Sequence, residues 1–311
     1  MYTSVVGSFP FEIKSPEHAK DKFLNIIGKY DPYKLAIKDI VISQLNAGID
    51  IVSDGQVRDD MVATFTKNIP GFIYEQNSSV IVSKIKPAPY EITTNDIKFA
   101  KNVLNNHINE NDDKGIKGII TGPSTLVYSS RIESFYKNKD DAIIDLAKSL
   151  RLEIEAIDKL GVKYIQIDEP FLSTGMVNLA TASKAIKILS SGIKTPIAIH
   201  VCGNLTEIFE KLINFKVDII DCEFAGNDYN LKLLEDNGKN LKNKTIGFGC
   251  LDTTLNKVDD YDKVKSLVKK AIDVVGPDNL ILDPDCGLRK MDKDIAIKKL
   301  ELLSNIKKEF N

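Results

Sequence analysis

Ile197-Ala-Ile-His-Val-Cys-Gly-Asn204 is an apolar run that ends in His200-x-Cys202 and a glycine. On a β-strand, residues i and i+2 point to one face, so an imidazole and a thiol leave the strand's end side by side. Both are ligand types for zinc. Taken alone, the pair reads more readily as a buried cysteine beside a hydrogen-bonded histidine. The other strand ends of the chain shift that balance.

Working outward, similar apolar runs recur at 4–7, 49–53, 118–121, 164–167, 218–221, 245–249 and 280–282. They are rich in Ile and Val and mostly continuous, as strands buried on both faces should be. Amphipathic segments of helical length lie between them, most clearly at 140–160, 180–190, 205–214, 258–275 and 293–306. Eight strand–helix units in 311 residues predict an α/β fold, a (β/α)8 TIM barrel forming one catalytic domain over 1–311. One interval, 67–94, breaks the rhythm. There Gly71-Phe-Ile-Tyr74 and Val80-Ile-Val82 flank the polar Asn77-Ser-Ser79. This pattern predicts a β-hairpin insertion after the second strand, lying over the barrel's mouth as a lid or docking element.

Composition narrows the function classes. With 42 basic and 44 acidic residues, the net charge of −2 gives no electrostatic case for nucleic acid or an anionic membrane. No apolar stretch reaches the roughly 20 residues of a membrane span. Met1-Tyr-Thr-Ser-Val-Val-Gly-Ser-Phe-Pro10 lacks a basic region followed by a long apolar core, so no signal peptide is expected. Four cysteines in a chain this long do not make a disulfide scaffold, and a reducing cytoplasm is the expected location.

In such barrels the chemistry sits where strands end. The ends here carry Gly7-Ser8, Asp54-Gly-Gln56, Thr121-Gly-Pro123, Asp168-Glu-Pro170, His200-Val-Cys202, Asp221-Cys-Glu223, Cys250-Leu-Asp252 and Asp283-Pro-Asp-Cys286. His200, Cys202, Glu223 and Cys286 offer N, S, O and S donors, a four-coordinate zinc shell whose carboxylate a substrate thiol can displace. Cys222 lies between Asp221 and Glu223 and should face away from both. Cys250 is a rival for the place of Cys286. His18 and His107 fall in polar segments and read as surface residues. Asp168 is either a helix cap or an anion for a substrate ammonium. Gly7-Ser8 can offer backbone N–H groups and a hydroxyl to a carboxylate. An amino-acid substrate needs both kinds of group.

These stretches carry a resemblance. Val5-Val-Gly-Ser-Phe-Pro10, the run Asp50 to Met61, Ile120-Thr-Gly-Pro123, Ile165-Gln-Ile-Asp-Glu-Pro170, Ile199-His-Val-Cys-Gly203, Ile246-Gly-Phe-Gly249 and Asp283-Pro-Asp-Cys-Gly287 occur in order over nearly the whole chain. Together they resemble the catalytic C-terminal half of cobalamin-independent methionine synthase, and more closely its short archaeal form. The resemblance implies a zinc-dependent methyl transfer to homocysteine that yields methionine. His200, Cys202, Glu223 and Cys286 fall on the family's zinc ligands. Val6, Gly7 and Ser8 fall on its homocysteine-binding strand end, and Asp168 on the acid that holds the substrate amino group. Gln56 is the nearest match to a second such acid, across a one-residue slip.

The departures lie on the side of the methyl donor. The long enzymes stack a folate pterin on a Trp; this chain has Ser129 near that place and no Trp at all. Thr174 and Thr254 stand where the family has a folate-contacting Glu and a His. The resemblance to the short archaeal forms therefore implies a methylated corrinoid, methylcobalamin or a corrinoid protein, as donor in place of methyl-tetrahydrofolate. Two alternatives remain: a corrinoid-dependent methyltransferase acting on another thiol such as coenzyme M, and a non-catalytic zinc barrel that docks a corrinoid protein.

Overall fold

The computed structural model describes residues 1–16, 19–109, 111–241 and 243–310. Eight parallel strands form its centre: β1 (Tyr2–Thr3), β2 (Ile51–Val52), β3 (Gly118–Thr121), β4 (Ile165–Asp168), β5 (Ile197–Val201), β6 (Ile219–Glu223), β7 (Thr245–Leu251) and β8 (Leu280–Pro284). Neighbours from β3 through β8 pair in sequence order, and β8 pairs back onto β1 through Tyr2 with Ile281. A bridge from Ser4 to Ile51 joins β1 to β2. The ring closes because residues 115–121 serve two neighbours. Gly115–Ile116 pairs with β2, and past Lys117 the same chain pairs as β3 with β4.

The residues facing inward follow from the two-residue period of a strand. Tyr2, Ile51, Tyr164, Ala198, Ile219 and Ile281 pack together as an apolar floor. Two residues further along the strands the interior turns polar, with Gln166, His200, Asp221 and Asp283 all buried. Lys117 is buried beside them at 1 % exposure. The larger apolar core lies outside this ring, between strands and helices, as the continuous Ile and Val runs require.

Most predicted elements appear near their expected places, with instructive differences. The helix expected at 140–160 forms as Lys139–Asp158, capped by the Asn138 side chain, which accepts from Asp141 N at 2.9 Å. The segment 205–214 is helical only over Phe209–Ile213. The first strand, expected at 4–7, lies instead at Tyr2–Thr3, with Ser4 making an isolated bridge. Beyond Ser4 its partners are loops: Ser53 Oγ donates to Gly7 O at 2.7 Å, and Leu288 N donates to Ser8 O at 2.8 Å. In 67–94, Phe72–Glu75 pairs antiparallel with Ser78–Ile81, and Gln76 and Asn77 turn the chain with φ of 48° and 59°. Two successive left-handed residues are the geometry of a tight hairpin turn. Ser130–Ile132 adds to the second strand, and Phe72, Val80 and Ile81 are buried.

Candidate metal centre

The β5 strand delivers His200 and Cys202 to one face, and the turn after β8 brings Cys286 to them. One ligand atom from each of the three lies within 4.8 Å of the others, the one such cluster among the described residues. His200 is 3 % exposed, and neither ring nitrogen makes a hydrogen bond. Its Nδ1 lies 3.2 Å from Asp221 Oδ2, close enough for an ionic contact but out of line for a hydrogen bond. A buried imidazole without a partner is costly unless something else satisfies it. Two converging thiols supply the chemistry for that partner to be a soft divalent cation, so this donor set fits zinc.

The electrostatics agree. A hydrogen bond from Cys202, helped by His200, pulls the Cys286 thiol well below its ordinary value, while the same contact and burial push Cys202 up. Burial opposes the charged form of His200, but Asp221 and the two thiols outweigh it and raise its pKa. Cys222 and Cys250 are buried at 1 % and 0 % and stand outside the cluster. His107 is exposed and its Nδ1 contacts Val103 O at 2.7 Å; His18 lies outside the described residues.

Glu223 is at the end of β6, next to the cluster but not part of it. Its Oε2 accepts from Gly203 N at 2.8 Å. Two residues that sequence reasoning missed hold this corner. Asn230, fully buried, donates to Gly203 O at 2.8 Å and Glu223 O at 2.7 Å, tying the β5 loop to the end of β6. Asp285 accepts from Phe224, Ala225 and Gly226 N at 3.0, 3.1 and 3.2 Å. Asp221 was visible, two residues before Glu223 on the same strand face, but its approach to His200 needed the β5–β6 register. Gly247 makes room for it: a Cβ there would lie 2.5 Å from Asp221 Cβ.

The predicted substrate residues stand at the ends of β1, β2 and β4, beside the cluster: Asp168 pairs with His200 across β4 and β5. Gln166 Nε2 donates to Val6 O at 2.8 Å and to Asp168 Oδ1 at 2.6 Å, linking β1's end to β4's. Burial pushes Asp168 up to about 6. Gln56 has φ of 50°, uncommon for a side-chain-bearing residue, and its Oε1 would be 2.8 Å from a Cβ on Gly7. Ser8 Oγ would lie 2.1 Å from a Cβ on Gly287, the residue after Cys286, so the rim and the cysteine adjoin. Glu169, beside Asp168, faces away from the mouth. Its carboxylate accepts from Ser124 N at 2.9 Å, Thr125 N at 2.7 Å and Thr125 Oγ at 2.8 Å. This fixes the turn after β3, where a Cβ on Gly122 would lie 2.3 Å from Glu169 Cδ.

Comparison with known proteins gives this geometry a family. The family model described as cobalamin-independent synthase, catalytic domain, matches residues 1–309. A protein named methionine synthase from Methanothermobacter thermautotrophicus is 43 % identical over 302 residues, covering 96 % of this chain and 97 % of that one. A protein of the same name from Methanocaldococcus jannaschii is 44 % identical over 314 residues, covering 97 % and 96 %. Among solved structures, a B12-independent methionine synthase from Shewanella sp. W3-18-1 in complex with selenomethionine superposes with a TM-score of 0.82 at 22 % identity, over 99 % of this chain and 96 % of that one. That likeness supports the barrel fold. The match along nearly the whole length, with the thiol donors converging at the strand ends, shows that the chain belongs to the cobalamin-independent synthase catalytic-domain family.

Proposed function

We propose that this protein methylates the thiol of homocysteine to form methionine, at a zinc ion held by His200, Cys202, Cys286 and Glu223, with a methylcorrinoid as donor. The observation that carries the reading is the convergence of His200, Cys202 and Cys286 at the barrel's mouth. The named relatives, methionine synthases at 43 % and 44 % identity, support the reaction. Bound zinc would supply the Lewis acidity that deprotonates a substrate thiol, a poor nucleophile while protonated. The chain's own residues do the rest. Asp168 attracts the substrate ammonium, and Gly7 and Ser8 offer N–H and O–H groups to its carboxylate. Glu223 accepts from Gly203 N and would serve as the fourth, replaceable donor if its carboxylate turned from that N–H. In-line attack of the thiol sulfur on the donor's methyl carbon, with the carbon–cobalt bond breaking and its electron pair staying on cobalt, needs orientation, which the rim residues would supply.

The donor side supports a corrinoid. Thr174 Oγ donates to Phe171 O at 2.7 Å, and Thr254 N and Oγ both donate to Asp252 Oδ1, at 2.9 and 2.6 Å. Both side chains are engaged in their own turns and offer no acid or base to a pterin. A methyl group on cobalt is already activated, whereas methyl-folate needs its leaving nitrogen protonated. The test uses zinc-loaded protein and methylcobalamin, followed optically, with homocysteine and coenzyme M as parallel acceptors. Zinc-dependent demethylation with homocysteine alone is the expected result. Full activity with methyl-tetrahydrofolate as sole donor overturns the corrinoid assignment, and turnover with coenzyme M alone overturns the acceptor.

A further inference from the structure

The barrel's interior holds a cation that the chemistry above does not use. Lys117 is fully buried where the strand that closes the ring changes partner. Its ammonium faces the carboxylates of Asp221, Asp283 and Asp168 and lies 5.2 Å from the centre of the Tyr164 ring. Its one hydrogen bond among the described side chains goes to Gln166 Oε1. A lysine ammonium only donates, so the oxygen of the Gln166 amide must face it. That choice settles the other end. The Gln166 NH2 then points at two acceptors, Val6 O at 2.8 Å and Asp168 Oδ1 at 2.6 Å. A glutamine amide is otherwise nearly symmetric in shape and free to turn over. Turned over, it would set oxygen against two oxygens.

We infer that Lys117 and Gln166 form a strut inside the barrel that aims Asp168 and the Val6 carbonyl at the ammonium of the substrate. Lys117 fixes which way the amide points, and Gln166 fixes where the acceptors stand. Neither touches substrate, so both are positioning residues. The inference rests on the homocysteine reading above, in particular on Asp168 as the ammonium's partner.

The test compares homocysteine with γ-mercaptobutyrate, which has the same thiol and carboxylate but no amino group. Calorimetric titration of zinc-loaded wild type, Gln166→Met and Lys117→Met gives two dissociation constants for each protein. Wild type prefers homocysteine. Each variant loses about tenfold or more of that preference, the size of one hydrogen bond to a charged group, while its affinity for γ-mercaptobutyrate stays put. Equal weakening of both ligands in both variants overturns the strut and leaves a merely structural role. No preference in the wild type removes the pairing of Asp168 with the ammonium, and the strut falls with it. Should Gln166→Met fail to fold, Lys117→Met alone decides, since it removes the partner that anchors the amide oxygen without changing the rim.

Discussion

Replacing Glu169 by glutamine should remove a loss of stability that the unsubstituted protein suffers between mild acid and mild alkali, so the variant gains relative to it as pH rises. The carboxyl is 0 % exposed, and burial pushes it up to about 7 from its ordinary 4.5, against the pull of the Ser124 and Thr125 donors. A carboxyl whose pKa is higher in the folded state binds more protons folded than unfolded. Its stabilising contribution is complete below the unfolded pKa and is lost as pH rises through the folded one. Integrated from about pH 5 to about pH 8, those two pKa values give a loss of about 2.5 kcal/mol. That is a sizeable part of a total stability of about 5–15 kcal/mol. Glutamine keeps one acceptor and the shape, and does not titrate. Its NH2 meets one of the two backbone N–H donors, of Ser124 or Thr125, at a cost that is the same at both pH values. In mild alkali it spares the chain a buried charge. The assay is urea unfolding of both proteins at the two pH values, read as the difference between them at constant m. Asp54, Asp168 and Asp285, also pushed up by burial, are common to both proteins and cancel in that difference. A difference that does not move with pH, or that moves against the variant in alkali, refutes the reasoning.

Other outcomes follow from the site. Cys286→Ser should lose stoichiometric zinc by metal analysis, a weakening beyond the roughly 10–100-fold typical of outer partners, whereas Cys250→Ser should keep it; retention by the first assigns the ligand wrongly. Gly247→Ala would set a Cβ 2.5 Å from Asp221 Cβ and 2.9 Å from its Cα, so it should cost about 1–3 kcal/mol and weaken zinc about tenfold by chelator competition. An unchanged melting temperature and zinc affinity would show that Asp221 has room to move. Asn230→Ala removes donors to Gly203 O and Glu223 O and should destabilise by about 2–4 kcal/mol, seen as a lower urea midpoint; a loss under about 1 kcal/mol would mean those carbonyls find water instead.

Much of the barrel could be read from sequence, for a definite reason. A strand such as 197–201 is apolar on both faces, and its bounds match Ile197–Val201 because both faces are buried. The first strand was read a few residues too late because Val5-Val6 is the more apolar pair but leads into loops, while Tyr2-Thr3 makes the ladder, a distinction no periodicity carries. His200 and Cys202 share one strand, so their meeting follows from the two-residue repeat. Cys286 joined them through the order of strand ends around a closed ring. Whether Glu223 turns to the cluster or to Gly203 N–H depends on a turn in another strand, and nothing near residue 223 records it. Lys117 and Gln166 looked like interruptions of apolar runs. Their partners lie 49 residues apart for the pair and 160 for Gln166 with Val6, separations at which one sequence gives no signal.

The pairing of β1 with β8 sets an order of events during synthesis. Tyr2 leaves the ribosome early, but its sheet partner Ile281 is made nearly last. At the roughly 5–20 residues per second of translation, the wait is on the order of tens of seconds. Throughout it, β1 can make only its contacts with the segment around β2, the Ser4–Ile51 bridge and the bond from Asp50 N to Thr3 O among the described residues, and Val5, Val6 and Phe9 have no finished core to enter. The nascent N-terminus is therefore the segment a ribosome-associated chaperone has most reason to hold. A circular permutant that makes β8 directly before β1 would remove the delay and should fold with less need of such help.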